Sequence, residues 1–135
     1  MTSQLNVDTI VDKAGSGGSN VKMANTSTYV AEGGGATQNT VQGLAKVWLS
    51  WLYASNTFAD SFNISSGTDD ATGQYTYTFT NAMDNANYPG HITLDNNLNQ
   101  HWLNPRTTTS VRGRMYTGSA YSDQNNFVSI DGDLA

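Results

Sequence analysis

Alternation of apolar and polar residues is clearest at Gln74-Tyr-Thr-Tyr-Thr-Phe-Thr80. Tyr75, Tyr77 and Phe79 fall on one face and Thr76, Thr78 and Thr80 on the other, the period of a half-buried strand. Thr57 to Ile64 reads as a second strand, with Phe58, Phe62 and Ile64 at even spacing. The segment TDDATG (68–73) supplies Asp and Gly for a turn, so the two strands are expected to form an antiparallel hairpin. Residues 81–90 read as irregular, and Pro89 keeps Tyr88 from continuing a helix. His91 to Leu94 reads as a short strand, 95–106 as a polar loop holding Trp102, and Thr107 to Tyr116 and Asn126 to Ile130 as strands.

Residues 40–53 fit two periods. Val41, Leu44, Ala45, Trp48 and Leu52 make a helical stripe, whereas Val47, Leu49, Trp51 and Tyr53 share one face of a strand. Gly43 weakens the helix, and Val, Trp and Tyr prefer strands. A strand from about Ala45 is the favoured reading, with the helical start still open.

Upstream the pattern fades. Residues 1–44 are rich in Gly, Ser, Thr and Asn, with glycine clusters at 14–20 and 32–39 that read as loops or linkers. Leu5 to Val11 carries a weak strand signal, and Leu5, Val7, Ile10 and Val11 are the apolar residues by which such an arm would attach to another surface. The chain is therefore expected to divide into an extended Gly-rich N-terminal arm (1–44) and an all-β body (45–135), an antiparallel β-sandwich.

Composition narrows the function. The 135 residues are 37% hydrophobic and only 13% charged, and 10% aromatics argue against wholesale disorder. Thr, Asn and Ser supply the polarity. A net charge of −5 lacks the basic footprint of nucleic-acid binding. The apolar run 45–54 contains Lys46 and Ser50 and is about half a membrane span, so no membrane insertion is expected, and the first residues do not read as a signal peptide. With no Cys there are neither disulfides nor thiol chemistry, which shifts the burden of stability toward subunit association.

Chemistry is sparse. His91 and His101 have no ligand pattern around them. Asp69-Asp70 suits a turn, and Asp131-Gly-Asp133 lacks the oxygen-ligand spacing of a calcium loop. Glu32 is the single Glu, a poor basis for paired catalytic carboxylates. No catalytic, cofactor-binding or metal residue is therefore expected. Arg112 and Arg114 share one strand face; they suit either a phosphate or carboxylated sugar, or, as favoured, a cross-strand pair with Asp. Of the aromatics, most are expected in a core or interface, while Tyr116, Tyr121 and Trp102 are candidates for a receptor surface.

Several short segments carry a family resemblance: Ala45-Lys46-Val47-Trp48, Asp60-Ser61-Phe62-Asn63, Gly73-Gln74-Tyr75-Thr76, Phe79-Thr80-Asn81-Ala82-Met83 and Ala86-Asn87-Tyr88, with Gln4 to Ile10 at the start and Gly132 to Ala135 at the close. Together they resemble small tail-fibre-like virion structural proteins of marine and cyanobacterial bacteriophages. The chain departs from that pattern at Trp51 to Asn56, where an Asn-Phe-Asn-Gly-Thr-Gly turn is usual.

The resemblance implies a non-enzymatic virion protein, assembled in the host cytoplasm as a homotrimer. Its expected partners are other tail or capsid proteins through the arm and a host surface glycan through the body. A short tail fibre is the leading role and a capsid decoration or head-fibre protein the alternative. A carbohydrate-binding module is the rival of another class, and a depolymerase ranks third.

Overall fold

The computed structural model describes residues 28–30, 37–39, 43–95 and 100–135. The described chain is all-β. A small pair, β1 (Thr28–Val30) and β2 (Thr37–Asn39), is antiparallel, with Thr28 opposite Asn39. The proposed arm strand, Leu5 to Val11, lies outside the described residues.

Eight further strands make a sandwich of two antiparallel four-stranded sheets. They are β3 (Val47–Leu52), β4 (Thr57–Phe62), β5 (Ile64–Ala71), β6 (Gln74–Phe79), β7 (Gly90–Leu94), β8 (Gln100–Arg106), β9 (Ser110–Tyr116) and β10 (Asn126–Ile130). The first sheet has the order β4-β3-β10-β7 and the second β5-β6-β9-β8.

The inner faces follow the period-2 reading. Val47, Leu49 and Trp51 of β3 meet Tyr75, Tyr77 and Phe79 of β6, with Val111, Met115, Val128 and Ile130 completing the centre. Trp51 ties the sheets together, its ring 5.0 Å from Phe58 and 5.7 Å from both Tyr75 and Tyr77. One polar link crosses this core: the Tyr77 hydroxyl donates to Oδ1 of the fully buried Asn126 at 2.7 Å. Such a bond fixes the relative position of the sheets, because an unpaired hydroxyl there would cost about 1–3 kcal/mol.

Several expectations are corrected. The stretch 32–39, read as a loop or linker, holds β2, and the strand read from Thr107 begins at Ser110. The hairpin partner of β6 is β5, not Thr57 to Ile64; β4 pairs instead with β3. The break is Asn63, in the left-handed region at φ 60°, where Asn is tolerated best after Gly. Its Nδ2 donates to the carbonyls of Lys46 and Asn81, each at 3.1 Å, and its Oδ1 accepts the Asn81 N–H at 2.7 Å. There the chain leaves one sheet and enters the other.

Most of TDDATG is strand, and the turn shrinks to Thr72-Gly73. β5 is an edge strand with a mostly exposed burial pattern, so Asp69 and Asp70 cost little there. Gly73 takes the positive φ, 63°. The supposed loop 95–106 contains β8, another edge strand, where Leu103 is buried and a proline is allowed. Finally, Tyr53 lies in the turn after β3 and is exposed, not on the core face.

Even spacing in β4 also conceals a reversal. Ser50 faces Asp60 while Trp51 faces Phe58, so Ala59 is an extra residue in the ladder. One extra residue switches faces. Phe58 packs inward on Trp51, and Phe62 points out, 52% exposed.

Two predictions concern this core. Phe79→Ala is expected to cost about 3–5 kcal/mol, since Phe79 is buried against Tyr88. Thr78→Ala, on the opposite face, should cost about 1 kcal/mol or less. Urea unfolding checks the pair, and equal losses would contradict the two-faced strand.

Burial raises the hydroxyl pKa of Tyr75 and Tyr77 well above the ordinary value; for Tyr75 the bond to Asp123 adds to it. Burial also lifts Tyr88 to about 12. The unfolded chain gives up these protons first, near pH 10.0, so their stabilisation is complete below that and is lost as pH rises through the folded values. In an alkaline titration, these three of the seven tyrosines should ionise only together with the loss of β-sheet circular dichroism. Ionisation of all seven with the fold retained would contradict their burial.

Candidate functional site

The two outer faces differ in chemistry. On the first sheet the residues alternate with the core: Trp48 and Leu52 on β3, Phe62 on β4 and Phe127 on β10. Trp48 sits directly opposite Phe62, and Phe127 opposite Ser50. Trp48 and Phe127 are 39% and 43% exposed, and Leu52 is exposed beside them. Single exposed apolar residues are ordinary, but neighbouring aromatic and aliphatic side chains on one sheet face are the chemistry of a contact surface.

On the second sheet the outer face mixes cations, amides and aromatics. Register places Trp102 opposite Arg114 across β8 and β9, and Gln74 opposite Arg114 across β6 and β9. Tyr116 follows two residues on, on the same face. Tyr121 then folds back. The Thr117 N–H donates to the Ala120 carbonyl at 2.9 Å, the Thr117 hydroxyl caps the same loop, and Tyr116 and Tyr121 form an antiparallel bridge. The Tyr121 ring ends 5.4 Å from Tyr116 and 6.4 Å from Trp102. Thus Tyr116, Tyr121 and Trp102 come together in one cluster.

Asp123 anchors the loop that carries Tyr121. Its Oδ1 accepts the Gly73 N–H at 2.6 Å and the Tyr75 hydroxyl at 2.9 Å. A Cβ on Gly73 would sit 2.7 Å from both the Met115 carbonyl oxygen and the Ser122 nitrogen. The glycine is therefore required both by its φ and by this close approach. Neither Asp123 nor Gly73 stood out in the sequence as supports of the cluster.

The two arginines have different surroundings. Arg112 Nε lies 3.1 Å from Asp70 Oδ2 and 3.1 Å from Thr76 Oγ1, the cross-strand pairing expected for it. Arg114 has no hydrogen bond or ion pair among the described residues, and its Nε is shut away from solvent without a partner.

His91 and His101, distant in sequence, line one open groove of about 390 Å³ where β7 and β8 meet, with Trp102, Leu103 and Arg106. Arg106 is turned to the Tyr88 carbonyl, 3.2 Å away. Among the described residues no three His, Asp or Glu gather in a way that would hold a metal ion. The arm candidates Leu5, Val7, Ile10 and Val11 lie outside the described residues. Comparison of the chain with protein-family models, curated proteins and solved structures finds no match.

Proposed function

We propose that this chain is a non-enzymatic structural protein of a bacteriophage particle, a short tail fibre or fibre component that contacts the host surface as a homotrimer. The observation that carries this reading is the apolar outer face of the first sheet, with Trp48, Phe62 and Phe127 exposed in a single chain. A disulfide-free, charge-poor body with such a face gains stability when copies of itself cover it. The second sheet, with its aromatic cluster, then faces outward to the host. Residues 1–44 attach the trimer to other virion proteins through Leu5, Val7, Ile10 and Val11. A capsid decoration or head-fibre protein would use the same two surfaces at another place on the particle.

The cluster of Trp102, Tyr116 and Tyr121 favours a second reading, an independent carbohydrate-binding module, which needs no trimer. Sedimentation of the purified chain at micromolar concentration separates the two: about three chains per particle supports the fibre reading, and a folded monomer supports the module. Deleting residues 1–30 should leave a folded body that no longer enters phage particles. Incorporation at the wild-type level would place the attachment surface on the sandwich.

A further inference from the structure

Arg114 stands in an unusual position for a cation. It lies on β9, one strand in from the sheet edge, between Trp102 on one neighbour and Gln74 on the other. Arg112, two residues away on the same face, is neutralised by Asp70. Arg114 is not neutralised by any described residue, although the chain as a whole carries a charge of −5. With Nε enclosed and unpartnered, the recognition capacity of the guanidinium rests on its two terminal amino groups, whose fork matches a carboxylate.

Beside it stand the three rings. Tyr121 is inclined by 73° to Tyr116 and by 47° to Trp102. The rings are therefore not coplanar, and they offer an inclined surface to one pyranose, not a flat shelf for a row of them. An aromatic face takes the apolar C–H face of a sugar, while Gln74 and the tyrosine hydroxyls offer hydrogen bonds to its hydroxyls. A phosphate would satisfy the arginine but leave the rings without an occupant, and a neutral sugar would do the reverse.

We propose that the outer face of the second sheet binds a carboxylated saccharide of the uronate or sialate type, its carboxylate on Arg114 and its ring against Trp102, Tyr121 and Tyr116. This rests on the reading of the body as the part that meets the host, and names the class of glycan it meets there. Asp123 is a positioning residue: it ties the Tyr121 loop to Gly73 and Tyr75 and so holds Tyr121 beside Trp102 and Tyr116.

The test uses the full chain with tetragalacturonate and sialyllactose, each compared with its methyl ester by titration calorimetry. The ester keeps the ring and removes the charge. At least one acid should bind ~10-fold or more tightly than its ester, and added salt should weaken the acid alone. Arg114→Gln should bind acid and ester alike, and Trp102→Ala should weaken both. The salt comparison on wild type stands even if a variant fails to fold. Equal binding of acid and ester by wild type, binding of neither acid, or equal binding of a polyglutamate peptide would overturn the assignment.

Adsorption of particles carrying the variants separates this proposal from the host-contact reading. Poor adsorption without any acid preference overturns the carboxylate and leaves host contact standing. Acid-selective binding with unchanged adsorption supports the site and removes its role on the host.

Discussion

Trp51→Ala is expected to be the most damaging single substitution in the body, costing about 3–5 kcal/mol. Trp51 is 1% exposed and touches three aromatic rings, Phe58 on β4 and Tyr75 and Tyr77 on β6. Across from it, Gly67 of β5 has no side chain where a Cβ would meet the indole and come within 2.7 Å of Phe58. The pocket is thus shaped around the indole from both sheets, and a small residue leaves a cavity that the β-ladders cannot close. For a domain of marginal stability this is a large part of the whole. Urea unfolding should show the midpoint collapse, with Trp51→Phe recovering part of the loss. A midpoint within about 1 kcal/mol of wild type would mean that the sheets do not pack through Trp51.

The second large effect is on association. If the chain is the proposed trimer, replacing Trp48 and Phe62 together with Ser should convert it to monomer at micromolar concentration. The two side chains are opposite one another on the first sheet and point away from the core. Each buried aromatic anchor of an interface is worth about 2 kcal/mol or more on truncation, and in a trimer the loss recurs at every contact. Because neither side chain fills the core, the β-sheet circular dichroism should be unchanged. Sedimentation checks this directly, and a trimer that survives both substitutions would move the subunit contact to another surface.

How far the sequence could be read is seen in individual strands. Tyr75, Tyr77 and Phe79 alternate without interruption, and the structure buries all three; likewise β10 runs over the anticipated residues, Asn126 to Ile130. β5 and β8 were hidden because an edge strand is free to be polar on positions that a central strand must fill. The β4 pattern misled for another reason: the extra residue Ala59 reverses Phe58 relative to Phe62, and periodicity alone does not register a bulge. Asn63 was read inside the strand Thr57 to Ile64, because the four hydrogen bonds that tie it to Lys46 and Asn81 exist only once the sheets are formed.

The site follows the same logic. Tyr116 and Tyr121 are near neighbours in sequence, and their nearness in the fold was legible there, although Tyr116 is half-buried. Trp102 joins them only through the register that sets it opposite Arg114. Nothing in Arg112-Gly-Arg114 distinguishes the paired arginine from the unpaired one, because the difference is made by Asp70 on the far edge of the same sheet.

Immunogold labelling of purified particles, from a host in which this chain is expressed, tests the central claim most directly, using antibody raised against residues 45–135. Gold is expected on intact particles, concentrated at the tail, and should be lost when residues 1–30 are deleted. Unlabelled particles, with the chain recovered entirely from the soluble fraction, would contradict it.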